Sequence, residues 1–487
     1  MSRIHCYSVN TANSSIIYKT SISAFSDQPT LSLKLLQHHL SNSPIRPDDD
    51  GVPIAHPSST NLTFHSFVSQ FPSTDFSPEA ILFRLGQALF DPIELRVADN
   101  ITADVRARLM ALTRKAALSS WLQQTVAPRV DTDLKSNSSA SPVSIAFTLL
   151  TGNQLEKACE VVMDGGYLKL ATLISQAGSD LDFQADIEEQ LDLWREQRID
   201  AHVEEGVRKV YALLAGKIDG PLEGSKGIEP ERCKDVDVVE DLDWKRVFGL
   251  CLWYAEPLDA DISQVFESYT ELTKTPPGGR KVATPVPWYS EPKRQPTPSS
   301  SSSQSPSRWN LPPDTNLPPD GIYSLIKLYS DPVCSLSQIL NPLSFAPSPI
   351  DYSVPWHLYM ILSRCLRIRD FADRGETGIS ESEEDEERVY EVEIEGHSPS
   401  ADLLTASYAF QLEQLGLIQE SLFVLLHLEG SLGRKKAIKE LLARNAPALD
   451  EWMVRGVVGS LKIPMEWVYE AKVRLFECLS DQCFIEI

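Results

Sequence analysis

From Ser77 onward, apolar residues return every three or four positions in one short stretch after another, and this spacing restricts the fold more than any other feature. A helix of ten or fifteen residues with one apolar stripe cannot bury that stripe alone, so a succession of them has to stack. Ser77-Pro78-Glu79 announces the first clear start, with a capping hydroxyl, a proline at the first helical position and an acid in the first turn. Ile81, Leu85, Ala88 and Leu89 then form a stripe that ends before Asp91-Pro92, and the next helix is expected from about Ala103 to Val126. The texture continues through Ile145–Leu150, Gln154–Met163, Tyr167–Gln176, Ile187–Trp194, Val203–Ala215 and Asp243–Tyr254. In the last of these, Trp244, Val247, Phe248, Cys251 and Leu252 fall on one face. Further helices are predicted over Gly321–Tyr329, Trp356–Leu366, Leu403–Gly416, Ile418–Leu428, Lys435–Arg444 and Pro464–Leu479, where Trp467, Ala471, Leu475 and Cys478 share a face. Strictly alternating β-branched runs are hard to find and no fixed period holds. The expected fold class is all-α, an irregular α-solenoid.

Three stretches interrupt the helices. Met1–Thr74 is polar, carries Pro44, Pro47, Pro53, Pro57 and Pro72, and contains Asp48-Asp49-Asp50-Gly51. Residues 1–74 are therefore expected to be poorly ordered, with one short helix over Leu31–Leu40. Residues 274–320 are saturated with Pro and Ser and read as a disordered linker between a helical region over 75–273 and another over 321–487. Within the latter, residues 376–395 include Glu383-Glu384-Asp385-Glu386-Glu387, whose repulsion predicts a solvated acidic loop.

Composition narrows the function classes. With 45 Lys and Arg against 68 Asp and Glu, the net charge of −23 would repel a phosphate backbone, so direct nucleic-acid binding is not expected. No stretch reaches the eighteen apolar residues of a membrane span, and the N-terminus lacks the basic start and apolar core of a secretory signal. Eight cysteines without a Cys-x-x-Cys pair point to reduced, buried single thiols in a cytosolic or nuclear protein.

Motifs that would carry chemistry fail on inspection. Gly220–Gly227 approaches a phosphate loop but lacks the Gly-Lys-Ser/Thr triplet. His38 and His39 diverge by about 100 degrees on a helix without a third ligand, and read as surface histidines. Cys478 and Cys483 have no partner pair, and neither Gly-x-Ser-x-Gly nor His-Glu-x-x-His occurs. No catalytic residue, cofactor site or metal site is assigned, and the chain is not expected to be an enzyme.

Particular strings carry more information than composition does. Phe147-Thr148-Leu149-Leu150-Thr151-Gly152-Asn153-Gln154 and Gly166-Tyr167-Leu168-Lys169-Leu170-Ala171 are followed by Trp194-Arg195-Glu196-Gln197-Arg198 and Val210-Tyr211-Ala212-Leu213-Leu214. Asp243-Trp244-Lys245-Arg246, Leu252-Trp253-Tyr254, Trp356-His357-Leu358, Leu404-Thr405-Ala406-Ser407-Tyr408, Phe423-Val424-Leu425-Leu426-His427 and Pro464-Met465-Glu466-Trp467 come next. In this order, over roughly Phe64–Leu479, they resemble the nucleoporin 96 family, whose fungal form is the C-terminal fragment of nucleoporin 145.

The resemblance implies a folded-back ancestral coatomer element of crown, trunk and partial tail, serving as a scaffold of the Y-shaped outer-ring complex of the nuclear pore. It implies location at the nuclear envelope and support of mRNA export and protein import. The implied partners are other Y-complex nucleoporins: a stem neighbour met through the crown, a Sec-thirteen-type β-propeller that receives a blade from the N-terminal side, and hub subunits met through the tail. Met1–Thr74 shows no series of alternating strands to serve as that blade, and the sequence stops at Asp481–Ile487 where the family continues with tail helices. Both departures count against propeller and hub docking by this chain, and a truncated gene model or a fragment would explain them. Trp194, Arg195, Arg198 and Tyr211 are placed in the crown as candidate partner-interface residues. The alternative is a vesicle-coat or other α-solenoid adaptor of the same architecture. Thr275-Pro276, Thr284-Pro285, Thr297-Pro298 and Ser305-Pro306 add an expectation of proline-directed phosphorylation that regulates assembly during division.

Overall fold

Capping residues and prolines set where the helices begin. In the computed structural model, which describes residues 4–11, 14–21, 28–95, 102–137, 139–178, 180–226, 231–274, 282–291, 317–374 and 397–474, the hydroxyls of Ser77, Thr102, Ser141 and Ser398 each accept a first-turn amide. The N-terminal elements are strands β1 (Ile4–Thr11) and β2 (Ser14–Ser21), helix α1 (Gln28–Ser41), strands β3 (Ile45–Pro47) and β4 (Pro53–Ala55), and α2 (Phe64–Val68). Then come α3 (Pro78–Phe90), α4 (Ala103–Ser136), α5 (Pro142–Leu150), α6 (Leu155–Asp164), α7 (Leu168–Ile174), α8 (Leu181–Glu196), α9 (Glu205–Leu214), α10 (Trp244–Leu250) and α11 (Ile262–Lys274). The remainder comprises α12 (Gly321–Ser330), α13 (Leu336–Ile339), α14 (Pro342–Phe345), α15 (Ser353–Tyr359), α16 (Pro399–Gln414), α17 (Ile418–Leu425), α18 (Ser431–Arg444), α19 (Glu451–Gly459) and a helical run over 465–474. Helices dominate, as the periodicity requires.

The chain forms two units. Unit 1 is assembled from Met1–Asp75, Pro287–Gly321 and Cys334–Ile487, and unit 2 from Phe76–Val286 and Ile322–Val333. The N-terminal segment thus shares its unit with the C-terminal helices.

Within 1–74, expected to be poorly ordered, residues 28–74 pack against other parts of unit 1. α1 is longer than the helix expected at Leu31–Leu40, and Leu35, Leu36, Val52, Leu62, Phe64 and Phe67 are buried. Their cover comes from far along the sequence: the Ala55 amide donates to the Leu426 carbonyl at 3.0 Å, and the Ser32 and Tyr408 hydroxyls lie 3.2 Å apart. β1 and β2 pair antiparallel, with Tyr7 opposite Tyr18 and Val9 opposite Ile16. Met1–Thr74, in which the sequence shows no series of alternating strands, thus holds two antiparallel pairs, β1–β2 and β3–β4. Two short runs with aromatic and β-branched residues, Ile4–Thr11 and Ser14–Ser21, were the available signal.

Other boundaries shifted. α4 runs past the expected end at Val126 and through Pro128 to Ser136. Pro128 is exposed, so the backbone bond that it removes faces water. α10 is buried on every side, including Arg246, Gly249 and Leu250, and continues into a π-helical turn over Cys251–Ala255. α15 does the same, passing into a π turn over Met360–Cys365. α11 and α19 were not anticipated. The acidic loop and most of the expected linker lie outside the described residues.

Unit 1 closes around two polar features. Arg434 on α18 is 1% exposed; its guanidinium donates to Pro53 O at 2.9 Å and Leu428 O at 2.6 Å and pairs with Asp48. His39 is wholly buried rather than at the surface, with ring centroids 5.7 Å from His357 and 5.3 Å from His427. Trp356, Phe67 and Phe423 complete its walls. His427 Nδ1 donates to Phe423 O at 3.0 Å, whereas both ring nitrogens of His39 and of His357 lack partners among the described residues. Burial first, then mutual repulsion, holds His39 well below its ordinary value; burial is also the main cause that takes His357 and His427 down to about 3.

Two outcomes follow from these features. Arg434→Met should lower unfolding stability by about 3 kcal/mol, since it strips partners from Asp48 and from buried carbonyls. Asp48→Asn should cost less, because Asp48 is partly solvated; denaturant melts with hydrogen exchange at Asp48–Ala55 check both. The histidines are neutral in the folded state near pH 7, so the unfolded chain takes up their protons first as the pH falls below about 6.5. Stability should therefore drop between about pH 6.5 and 3, by about 1 kcal/mol per buried histidine at pH 5.5, and His39→Phe should flatten that slope.

Candidate partner interface

The four residues expected at an interface lie on α8, the turn that follows it and α9 in unit 2. α8 is capped by Asp180 and buries Gln184, Ile187 and Leu191, so the opposite side of its last turn faces solvent. The chain leaves the helix through Arg198 at φ +57, a left-handed position that glycine usually takes, and the Ile199 amide donates to Trp194 O at 2.9 Å. Asp200 is buried and its carboxylate accepts the Ser225 amide at 2.8 Å, which ties the turn after α8 to the segment beyond α9. The Tyr211 ring on α9 then lies 4.6 Å from that of Trp194, tilted by 44°. Both rings are half-buried, and burial pushes the Tyr211 phenol up.

The two arginines are exposed. Arg195 pairs with Asp192 at 2.8 Å and Arg198 with Glu231. Such surface pairs contribute little stability, so neither guanidinium is locked in place. Sequence reasoning missed Leu193 and Ile199, which flank the aromatic pair at 43% and 40% exposure. The resulting patch combines Trp, Tyr, Arg and aliphatic side chains, the composition that concentrates binding energy at protein interfaces. Exposed apolar residues also occur in unit 1, at Leu403 and Phe410 on α16, Trp452 on α19, and Met465, Tyr469 and Val473 on the final helical run.

Residues suited to other chemistry are placed differently. Cys251, Cys334 and Cys365 are buried, and Cys159 and Cys233 are half-buried. Burial pushes Cys365 up to about 12, far from a reactive thiolate. Among the described residues, no group of three or more His, Cys, Asp or Glu could hold a metal ion. No described helix is long and apolar enough to cross a membrane.

The motifs noted in the sequence are mainly packing positions. Trp244, Arg246, Trp253 and Tyr254 are buried in unit 2, and Trp356, His357, Tyr408, His427 and Trp467 in unit 1. The profile of the family described as Nuclear protein 96 (Nup96) matches residues 144–474, from α5 to the final helical run. The chain belongs to the Nup96 family. Nucleoporin nup189 of Schizosaccharomyces pombe is 30% identical over 459 residues, which is 92% of this chain and 22% of that protein. Nuclear pore complex protein NUP96 of Arabidopsis thaliana is 28% identical over 76% of this chain and 30% of its own length. Nuclear pore complex protein Nup98-Nup96 of Drosophila melanogaster is 26% identical, over 76% of this chain and 16% of its own. The chain therefore spans less than a third of each of these relatives.

Relief of the left-handed residue provides a check on the turn. Arg198→Gly should be neutral to stabilising, by up to about 0.5 kcal/mol in thermal unfolding, because relief at φ +57 exceeds the loss of one exposed ion pair.

Proposed function

We propose that this chain is a non-catalytic scaffold of the Y-shaped outer-ring complex at the nuclear pore, supporting pore assembly and, through it, mRNA export and protein import. The observation that carries this reading is the Nup96-family match over 144–474, with relatives named as nuclear pore proteins. In this reading unit 2 is the crown, unit 1 the trunk, and the last helices the beginning of the tail. The chain supplies the first and last segments to unit 1 and two intervening segments to unit 2.

Two surfaces would make the contacts. The patch of Trp194, Arg195, Arg198 and Tyr211 would meet the crown neighbour of the stem. β1 and β2 would meet a Sec-thirteen-type β-propeller, because a two-stranded sheet is marginal alone and, among the described residues, no third strand pairs with it, which leaves its edges for strand addition. Hub docking has no comparable support.

Affinity purification of the tagged full chain tests this. Expected are stoichiometric crown-neighbour and propeller subunits and rim staining of the nuclear envelope. Deleting residues 4–21 should remove the propeller alone. A double substitution of Arg195→Ala and Arg198→Gly should weaken the crown neighbour about tenfold while the chain stays folded. Puncta at the endoplasmic reticulum with vesicle-coat subunits would overturn the assignment.

A further inference from the structure

The segment that follows α9 in unit 2 folds back on it. Leu222 and Val236 exchange backbone bonds at 2.8 and 2.9 Å, and between them Gly224 lies so close to Cys233 that a Cβ there would meet the Cys233 carbonyl oxygen at 2.5 Å. Gly224, part of the run that approaches a phosphate loop in the sequence, is therefore required by a close backbone contact. The Cys233 amide donates to Ser225 O at 3.0 Å, the Ser225 amide to the Asp200 carboxylate at 2.8 Å, and the Cys233 thiol to Asp200 O at 3.4 Å. Arg208 on α9 reaches the same place. Its Nη1 donates to Cys233 Sγ and its Nη2 to Lys234 O at 2.7 Å.

Arg208 is 3% exposed, no carboxylate among the described residues pairs with it, and its Nε–H has no acceptor there. Arg246 and Arg434, buried to the same depth, each pair with an aspartate. Asp200 is buried as well, and its Oδ1 has no donor among the described residues. A spare donor and a spare acceptor beside one half-buried thiol call for a group that carries both. A sulfenic acid does, since its oxygen accepts and its O–H donates. We propose that Cys233 is a site of oxidation by hydrogen peroxide to the sulfenic acid, which is held between Arg208 and Asp200. The thiol gives its proton to solvent, the sulfur attacks one peroxide oxygen, the S–O bond forms and the O–O bond breaks. The departing hydroxide takes up a proton and leaves as water; sulfur is oxidised by two electrons and the peroxide is reduced. Burial opposes the thiolate that starts this step, Arg208 favours it and Asp200 opposes it. The guanidinium is what separates Cys233 from the other half-buried thiol, Cys159, on which burial acts without a neighbouring cation.

Exposing the fully reduced full chain to hydrogen peroxide in the presence of dimedone, which traps sulfenic acids, and following each cysteine by mass spectrometry tests this. Cys159 is the internal reference, with its thiol donating to a backbone carbonyl, Ala171 O, at 3.6 Å. Cys233 should label about tenfold faster than Cys159. Arg208→Gln should bring Cys233 down to the Cys159 rate, whereas Arg208→Lys, which keeps the cation, should retain most of the wild-type rate. Cys251 is fully buried and reports folding. If it labels in a variant, the fold is lost and the wild-type ratio of Cys233 to Cys159 decides. Equal rates for these two thiols in the wild type, or an unchanged Cys233 rate in folded Arg208→Gln, overturn the proposal.

Discussion

A buried guanidinium has to be surrounded, and the way Arg434 is surrounded decides how unit 1 closes. Its acceptors come from the β3–β4 hairpin and from the turn before α18, and the Asp48 carboxylate lies 386 positions away in sequence. Because an unpaired charge at that depth would be costly, the N-terminal segment and the C-terminal helices are stable only together. Burial of His39 between α1 and α15 follows from the same closure: once α1 is covered, its inward histidine has no route to water.

Unit 2 uses the same device at another place. Arg246 is 2% exposed and pairs with Asp133 on α4 at 2.9 Å and with Asp243 at its own helix start at 2.6 Å. In each unit a tryptophan-bearing helix buried on all sides, α10 or α15, widens into a π turn at its C-terminal end. These helices hold the surrounding amphipathic ones, whose outer faces are left for contacts. Trp244 and Arg246 on α10 and Trp356 and His357 on α15 are packing residues of these two helices.

Much of the helical order was legible in the sequence because caps, prolines and periodicity act within four residues. Ser77, Ser141 and Asp243 cap helices close to where the pattern put them. The interface candidates were legible as residue types, and the structure brings Trp194 and Tyr211 into ring contact. Their surroundings were not. Arg198 at a positive φ carries no glycine to mark it, and as aliphatic residues Leu193 and Ile199 carry no mark of their exposure.

The sequence by itself determined a helical protein, the starts of most helices and the family to which it belongs, since each rests on short-range spacing or on ordered motifs. Tertiary structure alone decided that polar, proline-broken residues 28–75 become part of a core, that His39 is buried, and that α4 continues through Pro128. The reason is that a stretch with little apolar surface of its own is ordered by what covers it. Here the cover is supplied by helices more than three hundred residues further along.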